Sequence, residues 1–246
     1  MELLAGLITF GLTAVLTIAG LGAAFILIPV FMAMGVELHT AMTTALLLNA
    51  LSMSVASVTF VRRRLVVWRL GVPILLVAAA LAPLGAHVSL GLDKTILLWL
   101  FVGFLVFASA MMLFYAPKPR EVTSHPGVLV GAGIGVGGIA GFFGGLLGVG
   151  GGNFVVPALV AFGLDPKKAS ATTAFVVIFA SFTGFLAHLS LAGVDWSLLG
   201  WTTAGSLCGA ALGANLMSER LKSRQVKVIM GIVLLMVAAK MASNLM

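Results

Sequence analysis

The residues best suited to chemistry lie in one short run, GGLLGVGGGNFVVPAL at 144–159. Its glycines, Gly150, Gly151 and Gly152 above all, favour an unwound backbone, because glycine costs about 1 kcal/mol per position inside a helix. Asn153 is a good N-cap, and Pro157 falls in or just after the first turn, where its missing N–H does little harm. The expectation is a helix that restarts at Asn153. Its N-terminus offers unpaired N–H groups and about half a positive charge, a seat for an anion that needs no buried Lys or Arg. A weaker copy stands at Gly20-Leu21-Gly22-Ala23-Ala24-Phe25, with Gly20, Gly22 and Ala23 as the matching backbone. Gly137, Gly141 and Gly145, at four-residue spacing, suit close helix contact instead.

Few other polar residues accompany that run. Thr43, Thr44, Thr172 and Thr173 could aim hydroxyl donors at an oxyanion, or could bond their own helix carbonyls. Asn49 suits either a site wall or a hydrogen bond between helices. His87 and His188, near helix ends, are the candidate proton carriers, since no Asp or Glu falls in the middle of an apolar segment. HExxH, GxSxG and GxxxxGK[ST] are all missing, so the sequence predicts no enzyme, metal or cofactor. Cys208 stands alone in an apolar segment, as a small packing residue would.

The elements that must position these residues are membrane spans. The chain is 61% hydrophobic and 9% charged, with a mean hydropathy of +1.20. Soluble domains are about 25% charged. Too few ionisable groups are present to cover a soluble surface, and a single cysteine excludes an intrachain disulfide. The net charge of +7 sits in short clusters between apolar runs, as at 62–64 and 222–224. That is the pattern of cytoplasmic loops, so the lipid bilayer and not nucleic acid is the expected partner. The first apolar stretch has no basic leader, so no cleavable signal peptide is expected.

Eight apolar segments lie near 3–34, 40–61, 67–90, 95–115, 127–163, 169–192, 197–217 and 225–244. The first and fifth are too long for one straight crossing of about 30 Å of hydrocarbon, and each is broken by the glycines and proline described above. An ungapped shift of 128 residues aligns Gly20 with Gly148, Pro29 with Pro157, Trp68 with Trp196 and Lys94 with Lys222. The expected fold is an all-α polytopic membrane protein of two inverted repeats, 1–115 and 127–246, joined by a linker at 116–126. Each repeat is a broken, re-entrant hairpin followed by three transmembrane helices. Eight full crossings would divide the 14 Lys and Arg 7 to 7 between the faces. Re-entrant hairpins divide them 12 to 2, with only Lys94 and Lys240 outside. Basic loops stay in the cytoplasm, so the second arrangement is expected, with both termini outside.

The pattern GxGGGxxxVPxL from Gly148 to Leu159, followed by Gly163, Ala169 and Thr172-Thr173, resembles the sulfite exporter TauE/SafE family of membrane permeases. The first half departs from it, with Gly22-Ala23-Ala24 where three glycines would stand. The resemblance implies a secondary transporter that carries sulfite, an organosulfonate or a related small sulfur-containing anion across the bacterial cytoplasmic membrane. An anion channel is the alternative, with an intramembrane enzyme behind it. The anion, the direction, the coupling ion and any homo-oligomer are left open.

Overall fold

The computed structural model describes residues 2–88, 94–114, 126–146, 151–189 and 196–245. Ten α-helices are found there, and no strand. In chain order they are α1 (Glu2–Ala19), α2 (Ala24–Ala33), α3 (Leu38–Arg62), α4 (Trp68–Val88), α5 (Lys94–Phe114), α6 (Pro126–Leu146), α7 (Gly152–Ala161), α8 (Pro166–Leu189), α9 (Trp196–Asn215) and α10 (Ser223–Leu245). A short π-helical turn at Leu216–Arg220 continues α9. By length and composition, four helices are apolar enough to cross a membrane: α3, α4, α8 and α10. The chain is an all-α, multi-pass membrane protein.

Both long apolar segments are split, α1 from α2 and α6 from α7. The second arms have 10 residues each and the first arms 18 and 21. At 1.5 Å per residue a first arm is therefore close to a full span and a second arm to half of one. Neighbouring helices accommodate the long arms. α6 runs parallel to α4, with Gly137 against Ile74, Gly141 against Ala78 and Gly145 against Ala82. α1 runs parallel to α9 in the same manner, with Gly205 against Gly6, Gly209 against Phe10 and Gly213 against Ala14. At these crossings a Cβ would overlap the neighbouring backbone, so glycine lets the helices approach to backbone contact.

α3 and α8 pack against each other in the centre and are 61% and 67% buried over their apolar windows, against 33% for α4 and 39% for α10. α5 and α10 pair at the side, where the Ser109 hydroxyl donates to Gly231 O at 2.8 Å. One end of the molecule gathers three turns. Arg63 pairs with Glu219. The Lys167 ammonium donates to Ser218 O at 2.8 Å, and the Val67 N–H donates to Thr172 Oγ1 at 3.0 Å. The turns after α3, before α8 and after α9 thus share one face. Three successive full crossings by α4, α5 and the α6–α7 segment would have put the residue 167 turn opposite Arg63. Cys208 is exposed on α9, so it is not the packing residue its apolar surroundings suggest.

Candidate functional site

The two breaks meet. A Cβ on Gly152 would stand 2.7 Å from Leu21 O and 2.9 Å from Val177 Cγ2. One on Gly20 would stand 2.5 Å from Ser170 O. Ser170, Thr173, Val177 and Ser181 recur at three- and four-residue intervals and so share a face of α8. That face touches Gly20 through Ser170, Gly152 through Val177 and Asn49 through Ser181. Thr173 lies between the contacts to the two breaks.

At the first break a side chain takes one N–H of the helix start. The Asn49 Oδ1 accepts the Ala23 N–H at 2.7 Å, and its Nδ2 donates to Ser181 Oγ at 2.8 Å. Asn49 therefore acts as a cap supplied from α3, tying α2 to α8. Gly22, at φ 78°, leaves room for that amide: a Cβ there would overlap it.

At the second break no equivalent side chain is found among the described residues. The residue 128 positions after Asn49 is Val177, which has no polar atom to offer. α7 begins at Gly152 with Gly151 as N-cap, at φ 72°, and glycine has no side chain with which to cap it. This corrects the expectation that Asn153 is the cap. Asn153 is already inside the first turn, where its backbone is helical. Its side chain is fully buried, and neither Oδ1 nor Nδ2 has a hydrogen-bond partner. A buried polar group left unpaired costs about 1–3 kcal/mol, and this amide lies in the first turn of α7. The helix dipole there favours negative charge.

The threonines divide. Thr44 and Thr173 are fully buried with unpartnered hydroxyls, and Thr43 is buried as well. The Thr172 hydroxyl, on α8, accepts from the N–H of Val67, just before α4. Gly150 lies outside the described residues. His87 is exposed in the last turn of α4, and the His188 side chain lies outside the described residues. An apolar cavity of about 210 Å³ opens beside α7, between α5 and α6. Every side chain lining it is apolar, Phe104 and Phe154 among them, so it does not seat an anion. Among the described residues no cluster of His, Cys, Asp or Glu could hold a metal. Sequence reasoning missed the buried hydroxyls on α1, Thr9, Thr13 and Thr17, although their four-residue spacing was a visible signal.

Helices that break where they meet, with buried polar groups collected at the breaks, are the plan of a membrane transporter. The family model for sulfite exporter TauE/SafE matches residues 4–241, and the chain belongs to that family of membrane transporters. The probable membrane transporter protein YunE of Bacillus subtilis (strain 168) is 25% identical, with 96% of each chain covered. Sulfite exporter TauE/SafE family protein 1 of Arabidopsis thaliana is 36% identical over 74 residues, which are 30% of this chain and 15% of that protein. No solved structure matches the chain significantly.

Proposed function

We propose that the protein is a secondary permease for a small sulfur-containing oxyanion, sulfite or an organosulfonate, in the bacterial cytoplasmic membrane. The anion sits at the N-terminus of α7, held by the N–H groups of Gly151, Gly152 and Asn153, the Asn153 amide and the Thr173 hydroxyl. One observation carries this assignment: beside the start of α7 the buried Asn153 amide has no partner among the described residues, whereas the Asn49 amide at the first break is paired on both sides. All these groups donate to an anion, and none adds a formal charge, so the seat releases its ligand as readily as a carrier must.

The family membership supports sulfur oxyanions as the first substrates to test. The halves 1–115 and 127–246 act as inverted repeats around the breaks. Reciprocal packing of α1 on α9 and of α6 on α4 supports that symmetry. The basic turns at Arg63, Lys167 and Lys222 face the cytoplasm, and both termini face the periplasm. Protons, where coupled, travel on the substrate or on His87 and His188.

The test is counterflow in proteoliposomes across sulfite, thiosulfate, isethionate, taurine and small carboxylates. Saturable counterflow of a sulfur oxyanion is expected. Large unitary currents would make the protein a channel, and selective carboxylate exchange would remove sulfur from the assignment.

A further inference from the structure

α1 carries Thr9, Thr13 and Thr17 at four-residue intervals, on one helical face. All three are fully buried, as are Thr202 and Ser206 on α9. The face is turned to α9. Thr13 Oγ1 lies 3.3 Å from Ser206 Oγ, and a Cβ on Gly213 would come 3.1 Å from Thr17 Cβ. Yet the hydroxyls of Thr9 and Thr17 have no hydrogen-bond partner.

The counterpart seam shares the glycine-to-backbone contact but has glycines where α1 has its threonines. The residues 128 positions on from these threonines are Gly137, Gly141 and Gly145, and they pack directly on Ile74, Ala78 and Ala82 of α4. That seam excludes water at no polar cost. The α1–α9 seam, when shut, strips water from the Thr9 and Thr17 hydroxyls, which find nothing in exchange, and admitting water would satisfy them. The hydroxyl line also leads to the break. Past Thr17 come Ile18, whose carbonyl accepts from Ser170 Oγ at 3.0 Å, and Gly20, packed on the same serine. Leu21, next in the chain, touches the start of α7.

We propose that the α1–α9 seam opens to water in another state of the transport cycle. It is then the hydroxyl-lined path by which a small oxyanion moves between the break and the face opposite the Arg63–Glu219 pair, while α4–α6 stays shut. The anion's use of the path rests on the function proposed above; the hydration of the seam does not.

The two are separated by experiment. Single cysteines are placed at Thr9, Thr17, Ala78 or Ala82 in a Cys208→Ala background, in nanodiscs that leave both faces accessible. They are then treated with a small anionic methanethiosulfonate. Cysteines at 9 and 17 are expected to react at least about tenfold faster than those at 78 and 82, since only their seam samples an open, wet state. Equal rates, faster reaction on α4, or no reaction at either seam would overturn the proposal. Adding Asn153→Asp leaves the labelling contrast in place even if the anion seat lies elsewhere. Thr17→Val, which keeps the shape and removes the hydroxyl, should slow isethionate counterflow by roughly fivefold or more, and Thr17→Ser should stay within about twofold of the parent. A valine variant that folds and exchanges at the parent rate would refute the path.

Discussion

The two broken hairpins are built on one pattern and do opposite things with it. At the first, Ala23 caps α2 with an ordinary φ of −99°, and Asn49 reaches across from α3 to take the exposed N–H. At the second, Gly151 caps α7 at φ 72°, and the residue matching Asn49 is Val177. The amide has in effect changed places. It is absent from the central helix of the second half and present on the broken helix itself, as Asn153, where the first half has Phe25. A helix end satisfied by protein is a structural joint. A helix start with an unpaired buried amide beside it is the proposed seat of the anion.

The largest effect is expected from Gly151→Val. Valine cannot easily hold φ 72°, and a Cβ there would stand 2.5 Å from Ala140 O. Strain and overpacking together should cost about 3 kcal/mol or more, seen as loss of monodisperse protein or a sharp fall in Tm. The glycine is thus needed for the fold of the α6–α7 hairpin as well as for access to its backbone.

Val177→Asn copies the first-half cap into the second half. Val177 Cγ2 already approaches the position of a Gly152 Cβ, so an amide there should take an α7 N–H and compete with the anion. Affinity in equilibrium binding should fall at least about tenfold, or ~1.4 kcal/mol, with Tm unchanged or raised. Unchanged affinity would mean that α7's N–H groups are not used.

Asn49→Leu breaks the comparison from the other side. It leaves the Ala23 N–H and the Ser181 hydroxyl without their partner, at about 1–3 kcal/mol each. A Tm lower by several degrees is expected, with anion affinity in the surviving folded protein within about threefold of the parent, roughly 0.7 kcal/mol. A selective loss of binding at unchanged Tm would place the anion at the first break.

Much of this was legible in the sequence, for physical reasons. Apolar run length and the glycine clusters located the helices and both breaks, because span length and backbone freedom are local properties. The chemistry of the breaks was less accessible. Asn49 reaches Ala23 from 26 residues away and Ser181 from 132, and nothing in the local pattern of α3 selects those partners. Asn153 was misread as a cap because capping propensity cannot choose between it and a glycine already able to adopt positive φ two residues earlier. The Thr172 hydroxyl accepts from Val67, 105 residues away, a pairing hidden for the same reason of distance.

The most direct test of the central claim is anion affinity in purified, folded Asn153→Asp and Asn153→Ser proteins. Aspartate is nearly the same size but sets a negative charge beside the bound anion in a poorly screened site. Serine stays neutral and keeps a donor. The open end of α7 predicts a steep loss of affinity for aspartate, about a hundredfold or ~2.7 kcal/mol, and a mild loss for serine. Aspartate binding the anion as tightly as asparagine would contradict it.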